Sequence, residues 1–169
     1  DVIGAIGAGL QKAAIAARLD DTDVDLSHAV TSDAKLIVHT FKTPEGKEVF
    51  WHSGSHLMAQ AVKRLFPSAK LAIGPAIDMG FYYDFDLDHP FTPEDLEHIE
   101  AEMKKIVSEN LEITREDMAR TSAIELFSKM GETYKVELLK ELSVDTVSLY
   151  HQGEFVDLCR GPHVARTST

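Results

Sequence analysis

A chain of 169 residues that is 44% hydrophobic and 27% charged is neither disordered nor fibrous, and it is long enough to bury a core without covalent staples. Its single cysteine, Cys159, excludes an internal disulfide and suits a reducing cytoplasm, and no apolar run approaches the ~20 residues of a membrane-spanning helix. The formal net charge is −11, with twelve acidic against three basic side chains between Phe81 and Asp117; this argues against a general nucleic-acid coat but leaves room for a basic patch elsewhere.

Residues 2–19 predict an Ala-rich helix, weakened by Gly4, Gly7 and Gly9, each costing about 1 kcal/mol relative to Ala. The segment has no basic leader or cleavage pattern, so no signal peptide is expected. With no initiator Met and only VARTST after His163, the chain is expected to be part of a longer protein. Residues 23–30 and 34–40 read as short strands, and KTPEGK at 42–47 as a Pro/Gly turn and linker. A small module, residues 1–43, therefore precedes a larger unit, residues 48–169. In that unit a helix runs from Ser53 to Phe66 and stops at Pro67, with Leu57, Met58, Ala61, Val62, Leu65 and Phe66 as its apolar stripe. Residues 70–88 read as strand, Gly-Pro turn and strand. Thr92, Pro93, Glu94 and Asp95 start a helix with Leu96, Ile99, Met103, Ile106 and Val107 on one face. LEITRED, 111–117, predicts a strand. Ser122 with Glu125 fits a capping box, and Gly131 a helix stop. A short helix over 134–142 and a hairpin over 146–159, turning at Gln152-Gly153, complete the pattern. Helices and strands interleave without a regular βαβ beat, which predicts an α+β fold.

His52 and His56, four residues apart, share one helix face, opposite the apolar stripe. Alone, the pair reads equally as exposed histidines. Near the other end Phe155, Asp157 and Cys159 alternate with Val156 and Leu158, so Asp157 and Cys159 share the face opposite two core residues. The Gly161-Pro162 turn can fold His163 back towards them. Cys159 alone reads as a small buried hydrophobe, but HxxxH together with CxxxH is a much rarer coincidence. Three imidazoles and a thiol can bind zinc, or order and polarise a water without metal. Ser53 stands where a zincin motif needs Glu, and neither a cysteine-protease context, a Walker loop nor a dinucleotide fingerprint is found. Tyr83 belongs to an alternating strand, and Lys135 read alone is a solvated lysine.

Taken in order, HSGSHLMAQAVKRLFP, AIGPAIDMGFYYDFD, GETYKVELL and EFVDLCRGPHV resemble the bacterial-type threonyl-tRNA synthetases. The resemblance implies a partial TGS module of β-grasp type over residues 1–43 and an α+β editing domain, with a mixed or antiparallel sheet, over 48–169. The family's opening TGS strands, its class II catalytic core and the strands that follow the CxxxH motif have no counterpart in the sequence, so the stretch itself is not expected to aminoacylate. The implied activity is hydrolysis of the ester of mischarged seryl-tRNA(Thr) by an activated water, since one methyl gives a synthetase only ~1–3 kcal/mol of discrimination. The implied site is His52, His56, Lys135, Cys159 and His163 as catalytic residues, with Asp157 and Tyr83 binding substrate. The implied partners are the serine-charged 3′ end of tRNA(Thr) and the remainder of a homodimeric parent. No cofactor is required on this resemblance; if zinc binds, its ligands are His52, His56, Cys159 and His163, as in the alanyl relatives. A free-standing deacylase of the same chemistry, a non-catalytic tRNA-docking module and a zinc hydrolase acting on something other than tRNA stay open as alternatives.

Overall fold

The computed structural model describes residues 2–169. In chain order they form α1 (Val2–Ile6), α2 (Ala8–Ala13), β1 (Ala14–Leu19), β2 (Thr22–Val24), β3 (Leu36–Thr40) and α3 (Pro44–Leu65). Four two-residue strands follow: β4 (Lys70–Leu71), β5 (Ala76–Ile77), β6 (Gly80–Phe81) and β7 (Phe85–Asp86). The rest is α4 (Pro93–Glu109), β8 (Ile113–Ala119), α5 (Arg120–Met130), α6 (Thr133–Glu141), β9 (Thr146–Gln152) and β10 (Phe155–Leu158). The fold is α+β, and every strand pair is antiparallel.

The first sheet has the order β2-β1-β3. It corrects the helix expected over 2–19, which breaks at Gly7 and gives way to strand at Ala14. The helix propensity of alanine is a weak prior that tertiary pairing overrides. Here β1 is hydrogen-bonded on both sides, and Ala14, Ile15, Ala16 and Ala17 are all buried. Its neighbour β2 ends at Val24, so Asp25 and the residues after it leave the sheet, short of the strand expected to Val30. The strand expected over 34–40 is present as β3.

The turn expected at 42–47 is instead the start of α3. Thr43 caps it, its Oγ accepting from the Gly46 N–H at 3.1 Å, and Pro44 fills the first turn, where no backbone donor is needed. Gly46 is required there, because a Cβ would lie 2.0 Å from the Thr40 carbonyl oxygen. The 22-residue helix packs its C-terminal half on α4 through Ala61, Val62, Ile99 and Ile106. Thr92 caps α4 as its sequence predicts, and Asp95 completes a capping box with it.

The second main sheet has the order β10-β9-β8, and Phe127, Leu139, Val147 and Leu149 join α5 and α6 to one of its faces. The capping box expected at Ser122 is absent: α5 begins at Arg120, whose N–H donates to the Asp145 carbonyl at 2.8 Å. Gly131, at φ 75°, ends the helix as expected. The hairpin turns at Gly153-Glu154, one residue later than predicted, since Gln152 pairs with Phe155. Arg64 locks this hairpin to both long helices, bonding Glu154 at 2.6 Å, Glu109 at 2.8 Å and Glu102 at 3.0 Å.

Hydrogen bonding to Arg64 holds the Glu154 carboxyl at about 2, below the ~4.3 of an unfolded glutamate. A depressed folded pKa stabilises fully above the unfolded value and is lost as pH falls from about 5 to 2. Glu154 is 58% exposed, so solvent screens the pair and the effect is small. The Glu154→Gln variant is therefore expected to lose less stability than the parent between pH 5 and 3 in urea titrations, on the order of tenths of a kcal/mol. Parallel pH profiles would mean that the contact is not made in solution.

Candidate active site

One helix and one strand end supply the centre of the site. His52 and His56 stand one turn apart on α3, while Cys159 follows β10 and His163 lies beyond the Gly161-Pro162 turn. The nitrogen and sulfur atoms these four offer lie within 4.8 Å of one another. Cys159 Sγ is 3.1 Å from His163 Nε2 and 3.4 Å from His52 Nε2. The His163 ring lies 4.3 Å from that of His56 and 4.5 Å from that of His52, between centroids. The reading of these histidines as exposed fails because α3 is covered on more than one side: His56 and His163 are buried and His52 is half-buried.

A second group adjoins the first. Lys135, on α6, places Nζ 2.7 Å from Asp157 Oδ1 and 3.1 Å from the Tyr83 hydroxyl. Tyr83 donates to Asp157 Oδ2 at 2.7 Å, and the Leu158 N–H donates to Oδ1 at 2.8 Å. Asp157 Oδ2 also faces His56 Nε2 at 3.6 Å, which joins the two groups. Lys135 is 4% exposed, so the solvated lysine of the sequence reading is in fact a buried one. Tyr83 stacks on Phe85 and lies so close to the backbone that a Cβ on Gly74 would be 2.1 Å from its ring. All seven residues expected from the sequence thus meet in one place.

Three supporting residues went unrecognised in the sequence. Ser53 Oγ donates to the Val49 carbonyl at 2.8 Å and accepts from the Val164 N–H at 3.1 Å. With its one proton used, the same oxygen must accept from His163 Nδ1 at 3.0 Å. That assigns the Nδ1–H tautomer to His163 and leaves Nε2 as an acceptor facing the Cys159 thiol. Asp25, just past β2, accepts from the His163 N–H and the Tyr150 hydroxyl, both at 2.8 Å. The Tyr150 ring packs 4.4 Å from that of His163, and a Cβ on Gly161, at φ +70°, would collide with the Tyr150 hydroxyl. Ser53 adjoins a motif histidine and carried a signal. Asp25 and Tyr150 carried none, because their role depends on contacts 125 and 138 residues away in the chain.

Burial dominates the electrostatics. It lowers the pKa of His52 and pushes those of His56 and His163 well below the ordinary imidazole range. It pushes the Cys159 thiol up to about 12 and raises the Tyr83 phenol above its usual value. The cluster is therefore neutral near pH 7. Three imidazoles and one thiol are also donors that suit zinc, and the unprotonated Nε2 of His163 fits such a role, so His52, His56, Cys159 and His163 would be the ligands.

Residues 147–169 match the family model described as the threonyl and alanyl tRNA synthetase second additional domain. The chain is 57% identical over 168 residues to a threonine–tRNA ligase of Citrifermentans bemidjiense, covering 99% of this chain and 26% of the relative. It is 52% identical to that of Clostridioides difficile and 51% identical to that of Hahella chejuensis, with the same coverage. The chain thus spans about a quarter of the length of the curated relatives it matches.

Two outcomes check this geometry. Ser53→Ala should lower stability by about 1–3 kcal/mol in urea unfolding, because it strands the buried Val164 N–H and His163 Nδ1–H. Nitrogen-15 NMR should show His163 as the neutral Nδ1–H form, with His56 and His163 both neutral at pH 6. Their folded pKa values lie below the unfolded ~6.5, so their contribution to stability is complete above that pH and is lost as pH falls below it.

Proposed function

We infer, for a chain that belongs to the threonyl-tRNA synthetase family over the quarter of those ligases that it matches, that residues 48–169 form an editing site hydrolysing seryl-tRNA(Thr). Residues 1–43 are read as the remainder of a TGS module. The observation that carries this reading is the meeting of HxxxH, CxxxH and a buried Lys135–Asp157 pair at one point. The partners on this reading are the serine-charged 3′ end of tRNA(Thr) and the rest of a homodimeric synthetase, in a cytoplasmic setting. Among the described residues, no helix is long and apolar enough to cross a membrane.

Ester hydrolysis needs a positioned water, an acceptor for its proton and a donor for the developing oxyanion. His52 is the half-buried member of the cluster, and its lowered pKa leaves it a neutral imidazole near pH 7. It is suited to contact the terminal ribose and its leaving oxygen. Lys135 offers an ammonium oriented by Asp157 and Tyr83, suited to orient the water or stabilise the oxyanion. Both Asp157 oxygens are already engaged. Holding Lys135 in place fits that geometry better than a direct grip on the seryl ammonium. Tyr83 supplies a wall, while His56, Cys159 and His163 form a polar, neutral floor. A pocket closed around serine would exclude the extra methyl of threonine, since overpacking costs about 1–3 kcal/mol.

On the family resemblance the chemistry is taken to run without metal. If zinc occupied these four ligands, it would supply Lewis-acid activation of water.

The test is deacylation of seryl-tRNA(Thr) beside threonyl-tRNA(Thr). The protein should hydrolyse the first and spare the second, with chelator leaving the rate unchanged. Lys135→Ala and His52→Ala should each lower the rate about 10²–10⁴-fold with little change in tRNA affinity. Unaltered rates in both variants would remove these residues from the reaction, and loss of activity on chelation would transfer the chemistry to a metal.

A further inference from the structure

The site does not end at its seven residues. Strand register places Arg115 opposite Tyr150 and Tyr150 opposite Asp157, so the three share a face. Two residues along, Asp117 lies opposite Ser148, whose Oγ donates to the Cys159 carbonyl at 2.6 Å. The face that carries Asp157 thus continues towards this end of the sheet, where a groove of about 460 Å³ opens. Arg115, Asp117, Leu138, Val144, Cys159 and Arg160 line it.

The charges of the groove are unequal. Arg115 Nε donates to Asp117 Oδ1 at 2.9 Å, so these two compensate each other. Arg160 is exposed and has no hydrogen-bond or ion-pair partner among the described residues. One uncompensated guanidinium therefore stands beside Cys159 in the chain. Leu138 and Val144 are 38% and 48% exposed and give the groove apolar surface. A planar cation matches a phosphate, and exposed apolar surface suits unstacked bases. Single-stranded RNA offers both, and the ester to be hydrolysed sits one nucleotide beyond its last internucleotide phosphate.

We propose that Arg160 binds the last internucleotide phosphate of the single-stranded 3′ end of the RNA substrate, which lies in this groove. The proposal rests on the reading of the site as an editing hydrolase. Arg160 is thereby a positioning residue for the ester and takes no part in its cleavage.

Steady-state hydrolysis by the protein and by its Arg160→Ala and Arg160→Lys variants tests it. The substrates are seryl-tRNA(Thr) and 3′-seryladenosine, which keeps the ester and the last ribose but carries no phosphate. Arg160→Ala should raise KM for seryl-tRNA(Thr) about tenfold with kcat unchanged, the scale of one lost charged hydrogen bond. It should lower the slope of log affinity against log salt by about 0.7, the share of one single-strand phosphate. Hydrolysis of 3′-seryladenosine should be unaffected, and Arg160→Lys should recover part of the loss. An unchanged KM and salt slope in Arg160→Ala, with the parent active, would overturn the phosphate role. Slower cleavage of 3′-seryladenosine would overturn it too, by placing Arg160 at the ester. A parent that cleaves neither substrate would instead sink the editing reading, and this proposal with it.

Discussion

A single hydroxyl joins the two halves of the site. Ser53 Oγ bonds the backbone of its own helix, the backbone of Val164 and the ring of His163, linking positions 110 and 111 residues apart. Much of the geometry of the histidine–cysteine cluster is set by that junction. It fixes the distance between α3 and the loop after β10, the ring plane of His163 and the nitrogen that His163 turns towards Cys159. The side chain at position 53 also decides chemistry by its identity, since a glutamate there would be both larger and charged.

The Lys135–Asp157 pair depends on this frame and is hard to explain by stability alone. Burying two opposite charges rarely gains over well-packed apolar side chains, while removing one partner leaves the other uncompensated at a cost of about 3–5 kcal/mol. Here both partners are almost fully buried and share hydrogen bonds with Tyr83 and the Leu158 N–H. A lysine held this rigidly beside three neutral imidazoles is a fixed positive charge in a dry setting, where electrostatic stabilisation of a developing anion is strongest.

Acidic charge is kept elsewhere. The acidic stretch includes α4, which packs on the C-terminal half of α3, and Arg64 gathers Glu102, Glu109 and Glu154 there. The first sheet lies on the other side of the centre. Ile15 and Ala16 share a core with Cys159 and Val164, and Asp25 holds the loop that carries His163. The N-terminal strands therefore line the cluster, although its first histidine, His52, comes only later in the chain, on α3.

Local sequence determined a good deal by itself. The cap of α4 and the alternation in β10 read correctly because each is settled by near neighbours: a hydroxyl three residues from a backbone donor, or side chains on opposite faces of one strand. The apolar face of α4 reads correctly only in part, since Ile99 and Ile106 are buried but Leu96 and Val107 are exposed. The four ordered motifs carry the family resemblance and contain all seven residues that meet in the fold. Tertiary structure alone decided the rest. Ala14–Leu19 became a strand because two partner strands were there to pair with it, against its own helix propensity. Pro44 and Gly46 began a helix because Thr43 could cap it and the Thr40 carbonyl needed the space. Lys135 was buried because Asp157 and Tyr83 met it from remote segments, and Asp25 joined the site for the same reason. Spacing along the chain shows which side chains share a face. Which faces meet depends on packing between distant segments, and that exists only in the folded chain.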